Sequence, residues 1–100
     1  MTVQQARKIE MQNVNHPERT VRVDADKYEA MKQAVLKILP ATSPGLTAAE
    51  MLAGVLPHLP EDLFPQGAKA GWWMMGLQLD LEARGMIVRE KTKPLRFHLC

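Results

Sequence analysis

The stretch that most constrains the fold runs from Lys69 to His98, where an apolar helical pattern changes to strict alternation. A helix is predicted from about Lys69 to Arg84. Gly85 follows, and glycine takes the left-handed conformation that ends many helices at the lowest cost. Beyond it, two alternating segments predict short strands, joined by a polar, proline-containing turn at 91–94. The stretch therefore predicts a helix followed by a β-hairpin.

The predicted helix is apolar on two sides. At 3.6 residues per turn, one face carries Ala70, Met74, Leu77 and Leu81, with Trp73 beside it. The nearly opposite face, called the outer stripe below, carries Trp72, Met75, Leu79 and Ala83. A helix with two apolar faces is buried on two sides. We assign the first face to the core. The outer stripe is expected to contact the N-terminal arm (1–18), the link that precedes the helix (57–68), a second copy of the chain or a partner.

Length and composition predict one globular domain. The chain has 100 residues and 46% apolar content. Its single cysteine, Cys100, argues against a disulfide framework and fits a reducing compartment. Neither a membrane-spanning run nor an N-terminal signal region is expected. The composition is typical of a soluble, cytoplasmic protein of bacterial type. We predict an N-terminal arm at 1–18, as loop or partly mobile chain, and a folded domain at 19–100.

Two further helices are predicted before the stretch from Lys69 to His98. The first opens near Asp26, which forms a capping-box pattern with Glu29, although Asp24 is a competing cap. The second opens at Thr47, where Glu50 completes a clearer capping box. An alternating segment at 20–23 predicts a short strand that pairs with the C-terminal hairpin.

The link between the second and third predicted helices is unusually long. It covers 57–68 and contains three prolines, whereas a helix-turn-helix joins its helices by roughly 3–4 residues. We expect its apolar residues to pack down, with one short helical turn near Pro60.

The helix order and the segment Leu81–Glu90 resemble the winged helix-turn-helix superfamily, across Val21 to Leu99. This resemblance implies an α+β fold with a three-helix core, a C-terminal β-hairpin wing and a short N-terminal strand. It implies transcription regulation most often and protein interaction in a substantial minority of members. A small, functionally uncharacterised family of bacterial proteins is also similar, in the segments His16–Pro17, Arg22–Asp24, Tyr28–Met31, Gly45–Glu50, Gly71–Trp73 and Leu79–Ala83.

No residue pattern predicts catalysis or a cofactor. His16, His58 and His98 lack metal-ligand spacing, and Ser43 and Cys100 lack a recognisable base or nucleophile elbow. No Walker-type phosphate loop is present in the sequence. We therefore predict a protein that is not an enzyme and that holds no metal or cofactor.

Two functions remain open at the level of sequence. The first is duplex DNA binding, favoured by a net charge of +3 between 86 and 98. Its candidate residues are Lys69, Gln78, Arg89, Lys91, Lys93 and Arg96. Asp80 and Glu82 oppose it, since they are expected to face out and repel phosphate. The alternative is a protein-interaction or homodimerisation module that uses the outer stripe. The sequence favours DNA binding narrowly, on superfamily frequency and hairpin charge.

Overall fold

Three α-helices and two small antiparallel sheets make up the computed structural model, which describes residues 7–100. The helices are α1 (Ala25–Ile38), α2 (Ala48–Val55) and α3 (Ala70–Ala83). One sheet pairs β1 (Lys8–Gln12) with β2 (Thr20–Asp24). The other has the order β3-β5-β4 and contains β3 (Leu46–Thr47), β4 (Ile87–Glu90) and β5 (Arg96–Leu99). The predicted α+β class is confirmed.

The core lies between the three helices and the C-terminal sheet. α3 buries the face that the sequence assigns to the core, including Met74, Leu77 and Leu81. Opposite it, α1 contributes Tyr28, Met31 and Val35, and α2 contributes Met51 and Val55. α3 stops at Ala83, and Gly85 has the predicted positive φ, +73°. The helix-to-hairpin transition therefore occurs where the sequence places it.

Side-chain caps fix the starts of α1 and α2. Of the two caps left open for α1, Asp24 is the one used, since its carboxylate accepts the N–H groups of Asp26 (2.8 Å) and Lys27 (3.3 Å). Thr47 caps α2 as predicted: its hydroxyl accepts the Glu50 N–H at 3.2 Å, and the Glu50 carboxylate accepts the Thr47 N–H at 2.9 Å. These caps satisfy backbone donors that the first helical turn leaves unpaired.

The N-terminal segment differs from its sequence prediction. β2 lies where a strand was expected, but it pairs with β1 rather than with the C-terminal hairpin. β1 occupies part of the segment predicted to be loop, because Ile9 and Met11 alternate with polar residues and Met11 is buried against the core. Residues 1–6 of the predicted arm lie outside the described residues. The third strand of the hairpin's sheet is β3, in which Leu46 faces Phe97.

The long link between α2 and α3 packs onto the core without a long regular element. The Phe64 N–H donates to the Pro60 carbonyl at 2.9 Å, which forms the expected single turn. The Phe64 ring is buried and meets Trp73 edge-on, with centroids 6.4 Å apart. The link thus anchors the start of α3. None of the helices within residues 7–100 has the length and apolar character that crossing a membrane requires.

Candidate interaction groove between α3 and the C-terminal hairpin

The outer stripe of α3 is only partly covered. Trp72 is 58% exposed and Met75 is 59% exposed, whereas Trp73 lies in the core. Leu79 is half-buried and Ala83 is exposed. The hairpin of β1 and β2 crosses α3 beside this stripe, where the Val14 N–H donates to the Leu79 carbonyl at 3.3 Å. The N-terminal segment therefore covers the middle of α3 but leaves Trp72 and Met75 in solvent.

A depression of about 450 Å³, called the apolar groove below, lies beside the exposed stripe. Asn15, Thr47 and Gln78 contribute polar atoms to its lining, and small or apolar side chains from three parts of the chain supply most of its walls. These are Ala48 and Ala49 of α2, Met75 and Leu79 of α3, and Pro94 and Leu95 before β5. Leu95 is itself 41% exposed. The sequence folds in this way because the Thr47 cap starts α2 beside β5 and brings its two alanines to the surface next to α3.

Lysines stand at both ends of this surface. Pro94 and Leu95 also border the hairpin tip, with Lys91 and Lys93. At the other end, Trp72 lines a depression with Lys27 and Lys69. The four lysines Lys27, Lys69, Lys91 and Lys93 are called the lysine rim below. Aspartate and glutamate are absent from the residues that line the three depressions within the described chain.

Two residues predicted to contact DNA are bound to a carboxylate on α3 in the structure. Arg89 donates to both oxygens of Glu82, at 2.7 and 3.0 Å, and its guanidinium lies 5.9 Å from the centroid of the Phe97 ring. Gln78 is only 7% exposed and donates to the same carboxylate at 3.2 Å. Glu82 is nearly buried by these contacts, so the expectation that it faces out and repels phosphate is wrong.

Arg96 is also engaged within the protein. Its guanidinium donates to the Gly45 carbonyl at 2.9 Å and to the Glu50 carboxylate at 3.2 Å. The Thr47 N–H, helped by Arg96, holds the pKa of Glu50 below its usual value. Of the six predicted DNA contacts, Lys91 and Lys93 lie together at the hairpin tip and Lys69 lies at the far end of α3. A role in DNA binding stays a prediction for all six.

Asp80 has a structural position that the sequence interpretation missed. It is 0% exposed, although it was expected to face out and repel phosphate. Its carboxylate accepts hydrogen bonds from the Tyr28 hydroxyl, the Gln12 N–H (2.7 Å) and the Arg84 side chain (3.0 Å). The signal was its spacing from Trp73 and Leu77, which puts Asp80 on the core face of the helix.

His98 and Cys100, considered above for metal binding and nucleophilic chemistry, lie in different environments. His98 uses Nδ1 to contact Glu90 at 2.8 Å, and Cys100 is exposed. Within residues 7–100, no group of three or more His, Cys, Asp or Glu side chains is arranged to hold a metal ion.

Fold and surface together define a small α+β domain with an exposed apolar groove. The chain belongs to a family of unknown function, DUF6958, whose model matches residues 8–97. The match runs from the first residue of β1 into β5, so it includes every wall of the groove. Comparison with curated proteins and with solved structures gives no match.

Proposed function

We propose that the chain is a winged-helix domain with an added N-terminal β-hairpin. The support is the order α1, β3, α2, α3, β4, β5, together with the sheet order β3-β5-β4. In this interpretation the β4–β5 hairpin is the wing, and α3 is the helix that DNA-binding members of the superfamily place in the major groove. The long link before α3 is accommodated by the packing of Phe64 onto Trp73.

We also propose that the domain is a non-enzymatic protein-interaction module that docks its partner in the apolar groove. The observation that carries this proposal is the exposure of Trp72 and Met75 beside the groove. Exposed apolar surface of this kind marks interaction sites. Aromatic residues and methionine are enriched at protein interfaces, where tryptophan often supplies much of the binding energy.

The outward face of α3 supports protein binding better than base recognition. Direct readout in the major groove needs polar donors and acceptors that reach base edges. The outer stripe is instead apolar, and Gln78 is buried against Glu82. The neighbouring surface of α2 exposes Ala48 and Ala49, whose methyl side chains offer no hydrogen-bond donor to a base or a phosphate. For these reasons we place a protein, rather than duplex DNA, on this face.

DNA binding, as in a transcription regulator, is the second candidate function. The observation that favours it is the exposed hairpin tip, where Lys91 and Lys93 form no ion pair with any described residue. Phosphate contacts from these lysines would produce strongly salt-dependent binding. Replacing both with glutamate tests this candidate, because low-salt binding to duplex DNA should then be lost.

Site-specific photo-crosslinking tests the proposed interaction module. A photoreactive residue at Met75 is compared with one at Gln33, which is exposed on α1 and lines a separate depression. Crosslinking is done in extract of the source cells with and without nuclease treatment, and the joined peptides or nucleotides are identified by mass spectrometry. We expect a defined protein adduct from position 75 that Leu95→Ser removes, and none from position 33. Equal adducts from both positions, or only nucleic-acid adducts from position 75, would contradict the proposal.

A further inference from the structure

We infer that the occupant of the apolar groove is an amphipathic helix of another protein, with acidic side chains bordering its apolar face. This inference rests on the proposed interaction function and names the kind of partner. It follows from the charge around the groove, the shape of its walls and the charge of the chain's own helices.

The charge around the groove favours an acidic partner. The lysine rim places positive charge at both ends of the apolar surface, and the lining residues include no carboxylate. The one acidic side chain of α2, Glu50, is already bound by Arg96 and by the Thr47 N–H. Opposite charge around an apolar centre speeds association and rejects partners of the wrong sign. Acidic residues on the partner are therefore expected at both ends of its apolar contact.

The shape of the groove favours a helix over an extended strand. Trp72, Met75 and Leu79 are spaced i, i+3 and i+7 along α3, so they form a straight apolar ridge roughly 10 Å long. A partner helix presents apolar side chains with the same spacing. A strand would need a free sheet edge, but β5 is hydrogen-bonded to β3 on one side and to β4 on the other, and the edge strand β3 is only two residues long. Side-chain packing is thus the binding mode that the groove offers.

The chain's own helices do not supply such a partner. α1 is a long surface helix, but its charged residues sum to +1, from Lys27, Lys32 and Lys37 against Asp26 and Glu29. α2 carries one acidic residue, Glu50, and α3 carries Asp80 and Glu82, but the chain already binds all three carboxylates internally. A second copy would therefore bring like charge to the lysine rim. The expected partner is a different protein.

Peptide display on the full-length chain tests this inference. A random peptide library is selected on the wild-type protein after depletion on Met75→Ser/Leu95→Ser. Both substituted side chains are exposed, so this variant keeps its fold, which circular dichroism verifies. We expect enriched peptides with apolar residues at helical spacing and an excess of Asp and Glu at the flanks. Those peptides should become helical on binding.

Charge-reversal variants measure the contribution of the lysine rim. Lys91→Glu/Lys93→Glu should weaken binding of the selected peptides by about 10-fold at low salt, since two attractive charges become repulsive. Lys32→Glu/Lys37→Glu is the matched control, with the same change in net charge on α1. We expect this control to leave the affinity nearly unchanged.

Three results would overturn the inference. One is equal weakening by both charge-reversal pairs, which would mean that net charge alone matters. Another is enrichment of basic, uncharged or extended peptides. The third is no enrichment over the depleted variant. The photo-crosslinking result at Met75 decides the interaction function independently, so a wrong partner class can be told apart from a wrong function.

Discussion

The hydroxyl of Tyr28 donates a hydrogen bond to Asp80, a fully buried carboxylate in the second half of α3. The same carboxylate accepts the Gln12 N–H and the Arg84 side chain, and Arg84 also donates to the Glu10 carbonyl at 3.0 Å. One buried group therefore joins α1, α3 and β1. Because β1 is held in this way, the N-terminal hairpin packs beside the outer stripe and limits how much of α3 stays exposed.

Loss of the Asp80 carboxylate should be severely destabilising. Asp80→Ala leaves the Tyr28 hydroxyl, the Gln12 N–H and the Arg84 guanidinium without their acceptor. We expect the free energy of unfolding to fall by about 3–5 kcal/mol, as for other broken buried pairs. Urea denaturation measures this, with Asp62→Ala in the exposed link as the control, expected within about 0.5 kcal/mol of wild type. Similar losses in the two variants would show that the buried network contributes little.

The alkaline titration of Tyr28 gives a separate test of the same network. Tyr28 is the only tyrosine, so tyrosinate absorbance reports this residue alone. Burial, followed by the hydrogen bond to Asp80, raises the pKa of the Tyr28 hydroxyl far above its ordinary value. The folded state therefore holds the proton after the unfolded chain has lost it. The contribution of the protonated Tyr28 hydroxyl to the free energy of unfolding is complete below about pH 10, and it is lost as the pH rises further.

We expect tyrosinate absorbance to appear only together with alkaline unfolding, as followed by circular dichroism. Tyr28→Phe should lack this component of the pH dependence of stability. A titration midpoint near pH 10 in the folded protein, with the helical signal intact, would contradict the buried hydrogen bond.

Glu90 should make the C-terminal hairpin sensitive to acid. The hydrogen bond with His98, together with those from the Gly45 N–H and the Ser43 hydroxyl, lowers the pKa of Glu90. Its stabilising contribution is therefore present above the ordinary glutamate pKa of about 4.3 and is lost as the pH falls through the lowered value. The gap in melting temperature between wild type and Glu90→Gln should be clear at neutral pH and should close in acid.

Glu18→Gln is the control for that experiment. Glu18 is exposed and lies 3.8 Å from His16, and an ion pair of this kind contributes little. The difference in melting temperature between wild type and Glu18→Gln should be small at every pH. A Glu90→Gln gap that is independent of pH would mean that ionised Glu90 does not hold the hairpin to the loop before β3.

Gly45 is required for the close contact between that loop and β5. A Cβ atom at this position would lie 1.9 Å from the Phe97 carbonyl oxygen and 2.6 Å from a Glu90 carboxylate oxygen. Because the first of these atoms belongs to the backbone, we expect Gly45→Ala to cost about 2–3 kcal/mol through displacement of the loop. Thermal unfolding measures the loss.

Gly85→Ala is the matched comparison for Gly45→Ala. Gly85 has open space around a built Cβ but a φ of +73°, so only backbone strain opposes the substitution. This strain costs on the order of 1 kcal/mol. If Gly85→Ala proves more damaging than Gly45→Ala, the contact between the loop and β5 is not as tight as the structure indicates.

The elements that the sequence predicts correctly depend on residues that are close together in the chain. The Thr47 capping box, the stop at Gly85 and the alternation of the hairpin each need only a few neighbouring residues. β1 also alternates apolar and polar residues, but it becomes recognisable as a strand only through its pairing with β2 and the burial of Met11 against the core. The pairing of β3 with β5 likewise joins segments that are distant in sequence.

The candidate site was predictable only in part, for the same physical reason. Two apolar faces on one helix already indicate that Trp72 and Met75 lie outside the core. In contrast, the ion pairs of Arg89 with Glu82 and Arg96 with Glu50 join different elements, so composition made both arginines look available for DNA. The apolar groove and the lysine rim also exist only after folding, since each combines residues from different elements.

Chemical-shift mapping on the full-length chain tests protein binding at the outward face of α3 most directly. The best displayed peptide and a duplex DNA are titrated in parallel, and the methyl signals of Met75, Leu79 and Leu95 are followed. We predict that the peptide shifts these methyl signals at peptide-to-protein ratios up to one. DNA should leave the methyl signals in place, even if the signals of Lys91 and Lys93 move. Shifts of the three methyl signals by DNA, with no response to the peptide, would assign this face to nucleic acid instead.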